Sequence, residues 1–178
     1  MRLTRNPLAL LFTAATGLAS LLTLIEASTP GLSYWALALA LYWLVLAIAM
    51  AWFVRMLGPG ERRRAWKPWM FVPVALALGT VLLAKLDVPL HARFALSEPS
   101  LERYARSVRD DYDSRRWWGL YRVNDVEKIP GGARFMVTSL TMNWKSYGFA
   151  YIPDRVPGPE EGVYEHFRGP WYIWTDGP

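Results

Sequence analysis

The chain has no cysteine, and its first 86 residues have almost no acid. The first absence excludes disulfides, thiolate metal sites and cysteine nucleophiles, so every folded part is held by packing and hydrogen bonds alone. The second leaves Glu26 and Glu61 against eight bases in residues 1–86, whereas residues 87–178 hold thirteen acids and twelve bases. The basicity behind a pI of about 9.6 therefore belongs to one half of the chain. Histidine is scarce as well. His91 and His166 stand alone, without Cys or a paired carboxylate at ligand spacing, which excludes the common zinc patterns. No Walker A, G-x-S-x-G or G-x-G-x-x-G arrangement occurs. Asp111 to Asp113 begins like a calcium loop, but Arg115 takes the next ligand position and no glycine follows in register. Neither a cofactor nor a metal is expected.

What the sequence does have is long uncharged apolar runs. Pro7 to Ile25 has no charge and, as a helix, extends roughly 28 Å, close to a hydrocarbon core of ~30 Å. Leu32 to Val54 is also uncharged and carries Tyr34 and Trp35 at one end and Trp52 and Phe53 at the other, the aromatic pattern of a membrane interface. Met70 to Leu86 is shorter, with Pro73 near its start and Lys85 at its far end, where an ammonium reaches the headgroups. Three transmembrane helices are expected. Phe135 to Ile152 is excluded as a fourth, because Asn143 and Lys145 fall in its middle and a central Lys costs ~2.5–3.5 kcal/mol on insertion.

Lys and Arg flank apolar runs on the cytoplasmic side. With the N-terminus inside, Arg2, Arg5, Arg55, Arg62, Arg63, Arg64 and Lys67 all lie there, and the loop Glu26 to Gly31 on the other side has no base. The expectation is a multi-pass protein of the cell membrane, residues 1–86 forming the membrane domain and residues 87–178 an extracytoplasmic domain. Met-Arg-Leu-Thr-Arg before an apolar stretch resembles a signal peptide. Its apolar stretch is long for one, however, and Ile25-Glu26-Ala27 lacks the small residue that cleavage needs. Basicity that flanks apolar runs is topogenic, so no nucleic-acid partner is expected. Arg62, Arg63, Arg64 and Lys67 are the candidate contacts to lipid headgroups.

Pumps, channels and transporters need ionisable groups inside the bilayer, and the three runs hold none except the terminal Lys85. Small residues are instead spaced for helix packing: Thr13, Thr16, Ser20 and Thr23 on one face, and the pairs Ala36/Ala40, Ala47/Ala51 and Ala75/Gly79. Such faces serve association within one subunit or between subunits, so an oligomer through them is an open expectation.

Beyond the membrane, Ser97 to Tyr112 reads as an amphipathic helix. Leu101, Tyr104, Ala105, Val108 and Tyr112 share a face, Ser97 is suited to cap it and Pro99 to lie in its first turn. Short strands follow at Trp117–Val123, Val126–Ile129, Arg134–Leu140, Gly148–Ile152, Gly162–Phe167 and Trp171–Thr175, punctuated by Gly and Pro. The fold class is therefore a membrane α-helical part followed by an α+β domain with one helix and an antiparallel sheet.

Sixteen aromatic residues occupy residues 87–178. Most must form the core of so small a domain, at ~150–250 Å² each. The remainder are expected to form a binding face, and the candidates are Trp117, Trp118, Tyr121, Trp144, Tyr151, Trp171 and Trp174. Arg115-Arg116-Trp117-Trp118 is the segment best suited to a lipid surface.

The stretches Gly148-Phe149-Ala150-Tyr151-Ile152-Pro153-Asp154 and Gly169-Pro170-Trp171-Tyr172-Ile173-Trp174, with Arg93-Phe94-Ala95-Leu96-Ser97 at the membrane exit, resemble the small Arg-rich membrane proteins of actinobacteria. That resemblance covers the whole layout and implies no catalytic residue. The leading expectation is a membrane-anchored, non-enzymatic interaction protein presenting its aromatic-rich domain to a protein, peptide or component of the cell envelope. One alternative is an envelope hydrolase or transferase using carboxylates such as Glu161 and Glu165, which requires a deep cleft with converging acids. Another is an accessory subunit of a larger membrane complex, which requires the Thr13/Thr16/Ser20/Thr23 face to stay free of contacts within the chain.

Overall fold

The computed structural model describes residues 7–31, 33–56, 71–108, 116–138, 145–158 and 162–176, and among these the chain forms four helices and seven strands. Two units are present: Met1–Ala27 with Leu32–Pro89, and Ser28–Gly31 with Leu90–Pro178. The boundary lies at Pro89/Leu90, and the short loop between the first two helices belongs to the second unit.

In the first unit α1 (Pro7–Ala27), α2 (Ser33–Met56) and α3 (Phe71–Lys85) pack on one another. Mean hydropathy reaches 1.7 over Leu10–Ala27 and 2.2 over Trp35–Phe53, so α1 and α2 are long and apolar enough to cross a membrane. Helix α3 reaches that length only together with α4 (Val88–Ala105), across a break at Leu86 and Asp87 where Asp87 takes φ 50°. Two helices, or three if that bent pair is one span, thus have the length and composition of membrane spans.

The interior of this unit is made of small residues. Thr16, Ala19, Ser20, Thr23 and Ala27 of α1 face inward with Ala36, Ala40 and Ala47 of α2 and Pro73, Ala77, Thr80 and Ala84 of α3. Leu11, Leu18, Leu22, Val45, Ile48, Trp52, Leu78 and Leu82 face outward and are more than half exposed. Water drives the opposite arrangement, whereas in lipid helices associate by close approach of their backbones, which small side chains allow. Thr16, Thr23 and Thr80 donate to the carbonyls of Phe12, Ala19 and Leu76 at 2.8–2.9 Å, so their hydroxyls are satisfied within their own helices. The Thr16, Ser20 and Thr23 face is therefore buried inside the unit rather than left for another subunit. On α3 the inward stripe is Pro73/Ala77/Thr80/Ala84, not the expected Ala75/Gly79, and Ala75 is exposed.

The second unit departs from expectation at its helix. α4 begins at Val88, nine residues before Ser97, and ends at Ala105; Tyr112 lies outside the described residues. Ser97 is not a cap. It sits fully buried in mid-helix and its hydroxyl donates to Arg93 O at 2.9 Å. Leu90, Phe94, Ser97 and Leu101 form the buried stripe, and its burial holds the helix together through Pro99, which has no N–H for the Ala95 carbonyl.

The expected strand Trp117–Val123 is a hairpin, β1 (Arg116–Trp118) and β2 (Tyr121–Val123), folded at Gly119 with φ 61°. Only glycine fits there, because a Cβ would meet Ser97 Cα at 2.7 Å. The remaining strands are β3 (Asp125–Ile129), β4 (Gly132–Thr138), β5 (Tyr147–Tyr151), β6 (Val163–Arg168) and β7 (Trp171–Thr175). They form one antiparallel sheet in the order β3-β4-β5-β7-β6, so the chain meanders through three strands and then inserts β7 between β5 and β6.

One face of this sheet packs on α4. Phe94 is its centre, with ring centroids 4.8 Å from Phe149, 4.9 Å from Phe167 and 5.3 Å from Trp171. The other face is covered by its own side chains. Trp174 lies beside Gly148 and donates to Phe135 O at 3.3 Å, while the Arg134 guanidinium stacks 4.7 Å from the Trp174 ring and pairs with Glu127 on the neighbouring strand. Phe94→Ala is expected to destabilise this unit by about 3–5 kcal/mol, read as a lower denaturant midpoint in near-UV circular dichroism with the helical signal of the first unit unchanged.

Candidate functional site

Local chemistry concentrates where α4, the β1–β2 turn and the Ser28–Gly31 loop meet. The Arg93 guanidinium donates from Nη1 to Ser28 Oγ at 2.9 Å, and from Nη2 and Nε to Leu120 O at 2.7 and 3.2 Å. Its flat face lies 4.4 Å from the centre of the Tyr121 ring. Tyr121 in turn donates its buried hydroxyl to Ser28 O at 3.1 Å. Ser97 Oγ closes the circuit by accepting from Leu120 N at 2.9 Å while it donates to Arg93 O. Gly31 lies against the Tyr147 ring so closely that a Cβ would stand 2.2 Å from it. Five backbone or hydroxyl groups of three segments are satisfied by one arginine, one tyrosine and one serine. Burial pushes the Tyr121 phenol well above the usual tyrosine range, against the opposing pull of Arg93.

Around this node the surface is apolar. The buried stripe of α4 has an opposite stripe, Ala92, Ala95, Leu96 and Pro99, which is exposed. Leu96 is 72% exposed and Leu120, at the hairpin tip fixed by Ser97 and Arg93, is 47% exposed. A helix with apolar residues on both faces, one against its own sheet and one open, has a second surface available for contact.

The expected binding aromatics are divided by the structure. Tyr121, Tyr151, Trp171 and Trp174 are buried in the unit, so they build the core and do not contribute to an exposed face. Trp118 is half-buried, stacked on Tyr104 at 3.9 Å with Arg116 5.4 Å from its ring. Only Trp117 of the seven is open among the described residues, at 65%. Trp144 and the basic residues Arg62, Arg63, Arg64 and Lys67 lie outside the described residues, as do Asp111 to Asp113, Arg115 and Glu161. Sequence reading missed Arg93 and Ser97 as a node. A lone arginine soon after the third apolar run was the available signal.

Among the described residues no three His, Asp or Glu side chains gather at metal-binding distance. His91 packs on Phe167 at 4.8 Å, and His166 sits edge-on to Tyr172 with Nε2 3.0 Å from Gly169 O. Glu98, Glu102 and Glu127 pair with Arg168, Arg106 and Arg134. No family model, curated relative or solved structure matches the chain.

Two variants test the node. Arg93→Ala is expected to lower the stability of the second unit by about 1.5–3 kcal/mol, since hydrogen bonds from a charged group are lost, and Ser97→Ala to speed amide exchange at Leu120 specifically. The raised Tyr121 pKa gives a third outcome. Its contribution to stability is complete below the ordinary tyrosine pKa of ~10 and falls as pH rises beyond it. Denaturation midpoints compared at neutral and strongly alkaline pH should show a smaller alkaline loss in Tyr121→Phe than in the parent.

Proposed function

We propose that this is a membrane-anchored, non-enzymatic interaction protein. Its α1, α2 and α3 each cross the cell membrane, its N-terminus is cytoplasmic, and its extracytoplasmic domain offers the outward stripe of α4 and the Leu120 tip to an apolar protein surface.

The observation that carries this reading is the membership of Ser28–Gly31 in the second unit, through Arg93 and Tyr121. If α1 crosses to bring Ser28 to one side and α2 returns the chain, the domain from Leu90 onward shares a side with Ser28 only when α3 crosses too. Counting crossings therefore supports three spans, although α3 has fifteen helical residues, about 22 Å at 1.5 Å each. The excess of bases at Arg2, Arg5 and Arg62 to Arg64 sets the direction, because such residues stay on the cytoplasmic side. The domain is thus tethered to the membrane helices at two separate places in the chain. Pairing of Glu98, Glu102 and Glu127 with arginines favours binding over carboxylate catalysis.

The lack of cysteine makes any introduced thiol unique. In intact cells a membrane-impermeant maleimide should label Val156→Cys and spare Arg63→Cys until the membrane is opened; labelling of Arg63→Cys alone overturns the orientation. A photo-crosslinking residue at Leu96 should give a discrete protein adduct that is absent when the same residue replaces Glu165. Equal adducts at both positions count against the α4 stripe as the contact surface.

A further inference from the structure

Glu26 is one of only two acids in the first 86 residues. It occupies the last turn of α1, where no base accompanies it. A carboxylate at that end opposes the helix dipole, whose negative pole lies at the C-terminus. Glu26 makes no ion pair or hydrogen bond among the described residues and is exposed. Among the described residues nothing offsets the charge.

This carboxylate stands at one end of an open groove of about 520 Å³ between α1 and α2, lined by Glu26, Trp35, Ala36, Ala38, Leu39 and Tyr42. The volume falls within the ~300–1,000 Å³ of small-molecule sites. Ala38, Leu39 and Tyr42 follow Trp35 at i+3, i+4 and i+7, so one face of α2 forms most of the wall. Trp35 and Tyr42 are 55% and 62% exposed, and their rings suit an organic cation. The groove therefore has an anion and the Trp35 ring toward the loop end, an alkyl floor of Ala36, Ala38 and Leu39, and the Tyr42 ring two helical turns deeper.

We propose that this groove binds a phospholipid with a primary ammonium headgroup, in the leaflet on the side of the α1–α2 loop. The ammonium pairs with the Glu26 carboxylate and lies against Trp35, which also relieves the repulsion between Glu26 and the terminal carbonyls of α1. The upper acyl chain covers Ala36, Ala38 and Leu39. A free metal or amine satisfies only the charge and leaves the apolar floor bare, whereas a lipid satisfies both ends. The site rests on the reading of α1 and α2 as membrane spans.

The test uses the full chain in nanodiscs containing equal phosphatidylethanolamine and phosphatidylglycerol, with insertion scored first and co-released lipid then measured by native mass spectrometry. Failure to insert refutes the spanning reading itself. Given insertion, phosphatidylethanolamine should be retained about fivefold over phosphatidylglycerol, the size of one partly exposed charge pair. Glu26→Gln should abolish the preference, and Glu26→Asp should keep part of it. Leu39→Trp, which fills the groove and leaves the carboxylate, should remove the retained lipid altogether. Equal retention of the two lipids, or an unchanged preference in Glu26→Gln, overturns the proposal. So does a dimer that Glu26→Gln dissociates, because the groove then holds a second copy of the chain.

Discussion

The second unit depends on a single cation that binds two segments outside its own helix, at Leu120 O and Ser28 Oγ. A carbonyl at the hairpin tip and a serine hydroxyl in a four-residue loop have no regular secondary structure to bond within. Arg93 supplies both from a fixed planar fork. Its place on α4 is set by Phe94 one residue later, which is wholly buried against the sheet. Packing and polar chemistry thus fix one another: the aromatic core orients the helix, and the helix aims the guanidinium. Lysine in the same position has the charge but not the geometry to reach Leu120 O and Ser28 Oγ together.

The two units are filled by opposite kinds of side chain. In the second, Phe94, Phe135, Phe149 and Trp171 fill the interior, as the hydrophobic effect requires. In the first, alanine, serine and threonine fill it and leucine faces out. In a bilayer no hydrophobic force separates leucine from lipid tails, and helix packing is decided by how closely backbones approach.

Much of this was legible in the sequence, and the omissions have physical causes. Uncharged runs marked α1 and α2 because length and hydropathy are local properties. Strands β3 to β7 were legible because Gly and Pro bracket them and alternation is short-ranged. The start of α4 was misread because Ser97 and Pro99 form a strong local capping signal, which burial of Leu90 and Phe94 overrides. The β1–β2 hairpin was missed because its turn, Gly119-Leu120, is set by contact with Ser97 rather than by a recognised turn pair. The aromatic face was misjudged at Tyr121, Tyr151, Trp171 and Trp174 because composition counts rings without saying which side of a strand they occupy. Register decides that: Tyr151 pairs opposite Trp171, so both point to the α4 side.

The Tyr121 hydroxyl reaches across 93 positions of sequence to Ser28. During synthesis the loop emerges long before its partner, and at ~5–20 residues per second the interval is roughly 5–20 s. Over that time Ser28 to Gly31 wait in water with their polar groups hydrated, and three further helices are made before the receiving strand exists. The fold is thereby finished from its C-terminal end backwards, and a piece cut to begin after α3 lacks a segment that its own interior expects.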